Sequence, residues 1–205
     1  PAGWPALALK LAMLMAASVW LAFHALDGRT PDLALTRPKF LALFLLAPLA
    51  FAEWLAMAAF FTGLEPKHIT SCCGSLFGAD AGVASGVSAL PAVLMGPALG
   101  GLVLLYAGTF WASNRWSGPW RLAHGGTGLL LANLALPAVL SFLSPLIYAL
   151  PTHHCPFDML QGHYRYVGYP IYAGLFGAVL AALLPALFWP FRIRPSVAAV
   201  YEEAA

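Results

Sequence analysis

Four stretches of the chain, 11–26, 81–114, 122–157 and 166–191, contain no Asp, Glu, Lys or Arg, and a fifth, 40–64, is broken only by Glu53. A helix that crosses a membrane needs about 20 largely apolar residues. Trimmed to such helices, the stretches predict spans near 5–26, 39–62, 83–110, 122–149 and 168–190. They are long and rich in Leu and Ala without strict alternation, so strands do not fit. Backbone groups in lipid must bond within their own segment. The expected fold is therefore all-α, a polytopic integral membrane bundle of about five transmembrane helices. No repeat, low-complexity tract or linker divides it, and 1–205 reads as a single transmembrane domain.

Composition narrows the class. The 205 residues are 61% hydrophobic and 9% charged, against about 25% charged in a typical soluble domain. So little charge excludes a disordered chain, and it excludes nucleic acid as a partner. The lipid bilayer is the expected surrounding. Chain entry at Pro1 rather than Met reads as an incomplete or processed N-terminus.

Basic residues set the expected orientation. Arg29, Arg37, Lys39, Arg115, Arg121, Arg192 and Arg194 share one face of the five-span arrangement, and Lys10, Lys67 and Arg165 share the other. The positive-inside rule then puts the N-terminus outside and the C-terminus in the cytoplasm. A cleaved signal peptide at 11–26 would place Arg29, Arg37 and Lys39 on the wrong face, and no clean small-x-small cleavage site lies near Ala25. With no organelle-targeting segment and an Ala/Leu/Pro-rich composition, the expected location is a bacterial inner membrane.

Aromatic and small residues fit that frame. Trp111, Trp116 and Trp120 cluster at the inner edge, and Tyr164, Tyr166, Tyr169 and Tyr172 at the outer edge, as an interfacial belt requires. Gly82, Gly86, Gly96, Gly100 and Gly101 allow close approach of helices to span three. Pro91, Pro97, Pro137 and Pro145 are expected to kink their helices and free carbonyls for other partners.

The candidate chemistry concentrates on the non-cytoplasmic face. All three cysteines fall in its two loops, as Cys72 and Cys73 within KHITSCCG (67–74) and Cys155 within PTHHCPFD (151–158). His68, His153, His154 and His163 lie there too. Three readings are open. A disulfide from Cys155 to Cys72 or Cys73 would staple the loops in an oxidising compartment. A metal site would combine one of the adjacent histidines with Cys155 and Cys72 or Cys73, with His68, Asp158 and His163 as further ligands or orienting partners, and would suit copper or zinc. Thiol–disulfide exchange is the third, with the three cysteines as the catalytic residues. On this point Cys155-Pro-Phe-Asp158 resembles in part the Cys-x-x-Cys of the disulfide-bond formation protein B and vitamin K epoxide reductase families. Those helix bundles pass electrons between periplasmic cysteines and quinone. Asp158 stands where their second cysteine would be, so the vicinal Cys72–Cys73 would have to serve as the dithiol.

Polar residues inside the spans add less specific signals. Glu53 lies near the middle of span two, where an ionisable group must be neutral or paired, and Asn133 of span four lies at a similar depth and could hydrogen-bond it. His24 and His124 share a depth near the cytoplasmic ends of spans one and four, where interfacial hydrogen bonding is the ordinary role and axial ligation of a haem b the functional alternative. Met13, Met57 and Met95 read as helix filler.

The leading functional expectation is redox (electron or thiol) transfer, or binding and delivery of a copper-like metal, at the Cys/His cluster. An alternative is a non-catalytic small subunit whose stapled outer loops dock a partner membrane or periplasmic protein. A second alternative is a transporter using Glu53. Whether the protein is an enzyme is open at this level.

Overall fold

In the computed structural model, the described residues are 3–63, 86–87, 90–116, 118–151 and 153–203. Among them the chain is helical without strands. Five helical segments are long and apolar enough to cross a membrane: Gly3–Asp27, Thr36–Thr62, Ala92–Arg115, Pro119–Tyr148 and Gly168–Ile193. We number the helices α1 (Gly3–Asp27), α2 (Thr36–Thr62), α3 (Ala92–Arg115), α4 (Pro119–Ala138), α5 (Ser144–Tyr148), α6 (Gly168–Phe188) and α7 (Pro195–Glu203). A π-helical turn, Val139–Leu143, joins α4 to α5, and a 3₁₀ turn, Trp189–Ile193, extends α6.

Large apolar side chains point outward, among them Phe44, Leu41, Val93 and Leu104, while Asp27, Thr109, His124, Thr127, Ser141 and Ser144 are buried. A water-soluble domain does not bury its polar residues while exposing a belt of Leu and Phe. The arrangement is that of helices solvated by lipid.

The span near 83–110 differs from the described helix. Pro91 adopts an extended conformation (φ −63°, ψ 120°) at the N-cap, and the helix begins at Ala92 and continues to Arg115. Gly82 of the predicted small-residue stripe lies outside the described residues.

Two compact units emerge, Pro1–His68 with Leu187–Ala205, and Ile69–Ala186. In the first, α1 and α2 form an antiparallel hairpin whose turn is organised by one buried carboxylate. Asp27 accepts hydrogen bonds from the Leu35 N–H (2.7 Å), the Thr36 hydroxyl (3.0 Å) and the Lys39 ammonium (2.6 Å). It thereby satisfies donors that the start of α2 would otherwise leave open. Trp20 donates its indole N–H to the Lys39 carbonyl at 3.1 Å, and Phe23 packs edge-on against Phe188 and Phe191.

Seventeen residues before Asp27, Lys10 forms a 2.7 Å ion pair with Glu53 of α2. Glu53 is paired within the hairpin, and the Asn133 amide donates to the Leu129 carbonyl of its own helix at 2.8 Å.

The second unit is closed by small residues. A Cβ on Gly125 would lie 2.5 Å from the Ala186 Cβ, and one on Gly128 would lie 2.6 Å from the Ala182 Cβ. Only glycine therefore allows α4 to approach α6 this closely. Tyr106 of α3 ties to the same helix by donating to the Ala178 carbonyl at 2.9 Å.

Candidate functional site

The site in the loop before α6 is built on a broken helix. In the π turn the Ser144 N–H bonds to the Val139 carbonyl, five residues back. In that register the next donor would be residue 145, which would serve the Leu140 carbonyl, but Pro145 has no N–H. His154 takes the vacancy: its Nδ1 lies 2.8 Å from the Leu140 oxygen. A carbonyl only accepts, so Nδ1 carries the proton. Pro145 therefore leaves a carbonyl free, and a histidine of the following loop caps it.

Beyond Tyr148 the chain reverses through Ala149, which is in the left-handed region at φ 54°. Two tyrosine hydroxyls then clamp the next segment by its carbonyls. Tyr148 donates to the Cys155 carbonyl at 2.5 Å and accepts the Met159 N–H at 2.9 Å. Tyr172 donates to the Pro156 carbonyl in a very short hydrogen bond. Beneath the clamp Tyr148 and Met159 are buried with Val139, against Leu143, Ile147, Val167 and Ile171. Gly168 belongs to the same contact, because a Cβ there would fall 2.7 Å from the Met159 Cγ.

Held this way, His153, Cys155 and Asp158 each present a ligand-type atom, and the three atoms lie within 4.8 Å of one another. His153 Nε2 is 2.7 Å from Asp158 Oδ2, and the Gln161 amide donates to the other carboxylate oxygen at 3.1 Å. Cys155 is buried, at 2% exposure, whereas His153 and Asp158 are partly open to the surface. A nitrogen, a sulfur and an oxygen so placed can share a metal ion, or surround a reacting sulfur with hydrogen-bonding groups.

The other candidates are placed as follows. His154 is engaged at Leu140, as above. His163 packs edge-on to Tyr164 at 4.9 Å and lines an open groove of about 580 Å³ with Ile147, Arg165, Val167 and Pro170. His68, Cys72 and Cys73 lie outside the described residues. Tyr166 and Tyr169 are exposed, and Tyr172 is a clamp of the site.

His24 is exposed and stacks on Trp20 at 5.5 Å. His124 is buried at 1% exposure, with Nδ1 3.0 Å from the Thr109 hydroxyl and Tyr106 against its ring. Its Nε2 is buried without a hydrogen-bond partner among the described residues. The two histidines belong to different compact units.

Sequence reasoning passed over Tyr148 and the clamping role of Tyr172. Both carry through-space bonds from helix to loop that no spacing rule encodes. The chain was compared with protein-family models, with characterised proteins and with solved structures, and none of them matches.

Proposed function

We propose that the protein is a membrane-anchored thiol–disulfide redox protein whose working sulfur is Cys155, on the non-cytoplasmic face of a bacterial inner membrane. The N-terminus is then outside and the C-terminus in the cytoplasm, the orientation favoured by the seven basic residues on one face. The single observation that carries the reading is the setting of Cys155. Its sulfur lies within reach of His153 and Asp158, and the reading takes it as one half of a disulfide. The sequence offers only Cys72 and Cys73 as partners.

A vicinal pair opposite one cysteine has a chemical consequence. Whichever of Cys72 and Cys73 is bonded to Cys155, a third thiol stands next to it in sequence and can attack the bond, so the disulfide can be passed along. In the outward reaction a dithiol on a partner protein attacks the disulfide. Two electrons and two protons move from the partner to the pair, leaving a disulfide on the partner and two thiols here.

Equilibration in thiol redox buffers tests this reading. An exchangeable disulfide is half reduced at a potential above about −300 mV, whereas a structural staple resists reduction to lower values. A value below that limit would favour the second reading, a small subunit whose stapled loop docks a partner. The specific support for that alternative is the burial of Cys155 beneath the tyrosine clamp.

A further inference from the structure

We propose that reduction of Cys155 converts the same loop into a zinc(II) site formed by His153, Cys155 and Asp158, so that the site holds zinc only in its thiol state. This rests on the half-cystine reading above and extends it to a ligand. The three donor atoms already lie within 4.8 Å of one another. Tetrahedral zinc with ligand bonds of about 2.0–2.3 Å spaces its donors at roughly 3.3–3.8 Å. Closing the site thus requires movements of about an ångström, within the range of side-chain torsions on a fixed backbone. That backbone is fixed, because Tyr148 and Tyr172 hold the carbonyls of Cys155 and Pro156.

The donor set selects the ion. A thiolate with an imidazole suits zinc or copper, and the carboxylate oxygen shifts the preference from soft Cu(I) to borderline Zn(II). Three protein donors also leave a fourth position open, as in zinc sites that bind a water or an exogenous group.

The switch follows from counting donors. In the disulfide, the Cys155 sulfur is committed to its partner sulfur, and a lone imidazole and carboxylate remain. A dithiol reductant supplies two electrons and two protons, breaks the S–S bond and leaves two thiols. Zinc then replaces the Cys155 thiol proton, which is released to solvent. In the reverse exchange a disulfide on a partner accepts the two electrons and two protons and becomes a dithiol, the S–S bond to Cys155 re-forms, and the loss of the thiolate donor expels the ion.

The test uses the full chain in detergent, with Zn2+ as the probe and a chromogenic chelator as competitor. Free thiols are counted by alkylation before and after treatment with a phosphine reductant. The expected result is stoichiometric zinc on the reduced protein and affinity weaker by about tenfold or more on the oxidised protein. Cys72→Ser/Cys73→Ser, in which Cys155 has no partner to oxidise with, should bind zinc without reductant. His153→Ala and Asp158→Ala should each weaken binding by about tenfold or more. Failure of the reduced protein to bind zinc, with all three thiols alkylated, would overturn the proposal while leaving thiol exchange intact. So would loss of zinc from Cys72→Ser/Cys73→Ser with retention in Cys155→Ser, because the vicinal pair would then be the site. Three alkylated thiols before any reductant would instead overturn the disulfide reading on which the switch depends.

Discussion

The Tyr148 hydroxyl bridges Cys155 and Met159, donating to the Cys155 carbonyl at 2.5 Å while accepting the Met159 N–H at 2.9 Å. One side chain from the end of a membrane helix thus fixes both ends of the turn that carries Asp158. Tyr148→Phe leaves a buried carbonyl and a buried N–H without their partner, a loss of about 1–3 kcal/mol. The expected outcome is a lower melting temperature in detergent, together with faster reaction of the reduced Cys155 with maleimide. An unchanged melting temperature and rate would show that the clamp does not hold the loop.

The contact between α4 and α6 makes a sterically explicit prediction. Gly128→Ala places a methyl 2.6 Å from the Ala182 Cβ, so the helices must separate, at a cost of about 1–3 kcal/mol. Ala182→Gly in the same chain should restore most of the loss. A thermal-unfolding double-mutant cycle checks the coupling, and additive losses would contradict the contact.

Lys10 and Glu53 should be replaceable only together. Removing one partner strands a charge among apolar helices, a cost of up to about 3 kcal/mol. Lys10→Met or Glu53→Gln alone should therefore lower the yield of folded protein in membranes, and the double variant should recover it. A transporter driven by Glu53 would lose transport in the double variant. A structural ion pair keeps the fold, and folded yield measured beside function separates the two.

Asp27 is expected to be among the most sensitive positions of the hairpin. Asp27→Ala removes the acceptor for Leu35, Thr36 and Lys39 and strands a largely buried ammonium, a loss of about 3–5 kcal/mol. Partial proteolysis at the turn 28–35, absent in the parent chain, is the expected readout.

The five spans were legible because charge-free windows of sufficient length have no other stable fate in lipid. Their ends were less so. Nothing charged separates 83 from 91, so hydropathy could not place the start of α3 at Ala92, although Pro91 carried the signal as a residue that cannot continue a helix N-terminally bonded. The Lys10–Glu53 pair has a signature in the sequence. Lys10 precedes Asp27 by as many residues as Glu53 follows Thr36, which places the two at one depth in a hairpin with a short turn. α7 has little signature in the sequence because it is short and its hydropathy is ordinary, with only Pro195 marking its start.

Of the candidate site, the sequence exposed the residue types but not their selection. His153 and His154 are adjacent and chemically alike. Which one faces Asp158, and which caps Leu140, depends on the vacancy that Pro145 leaves in a π turn. Asp158, read as an alternative ligand or orienting partner, is brought to His153 by the turn that Tyr148 and Tyr172 hold. Those two hydroxyl bonds join positions 7 and 16 residues apart, separations without a periodic signature in the sequence.

The central claim is that Cys155 works as one half of an exchangeable disulfide. It is tested most directly by trapping thiols with N-ethylmaleimide in intact membranes and mapping the peptides without reduction. The account predicts Cys155 linked to Cys72 or Cys73, with the remaining cysteine alkylated, and all three alkylated after brief treatment with a dithiol. Three alkylated cysteines in the untreated membranes would contradict it.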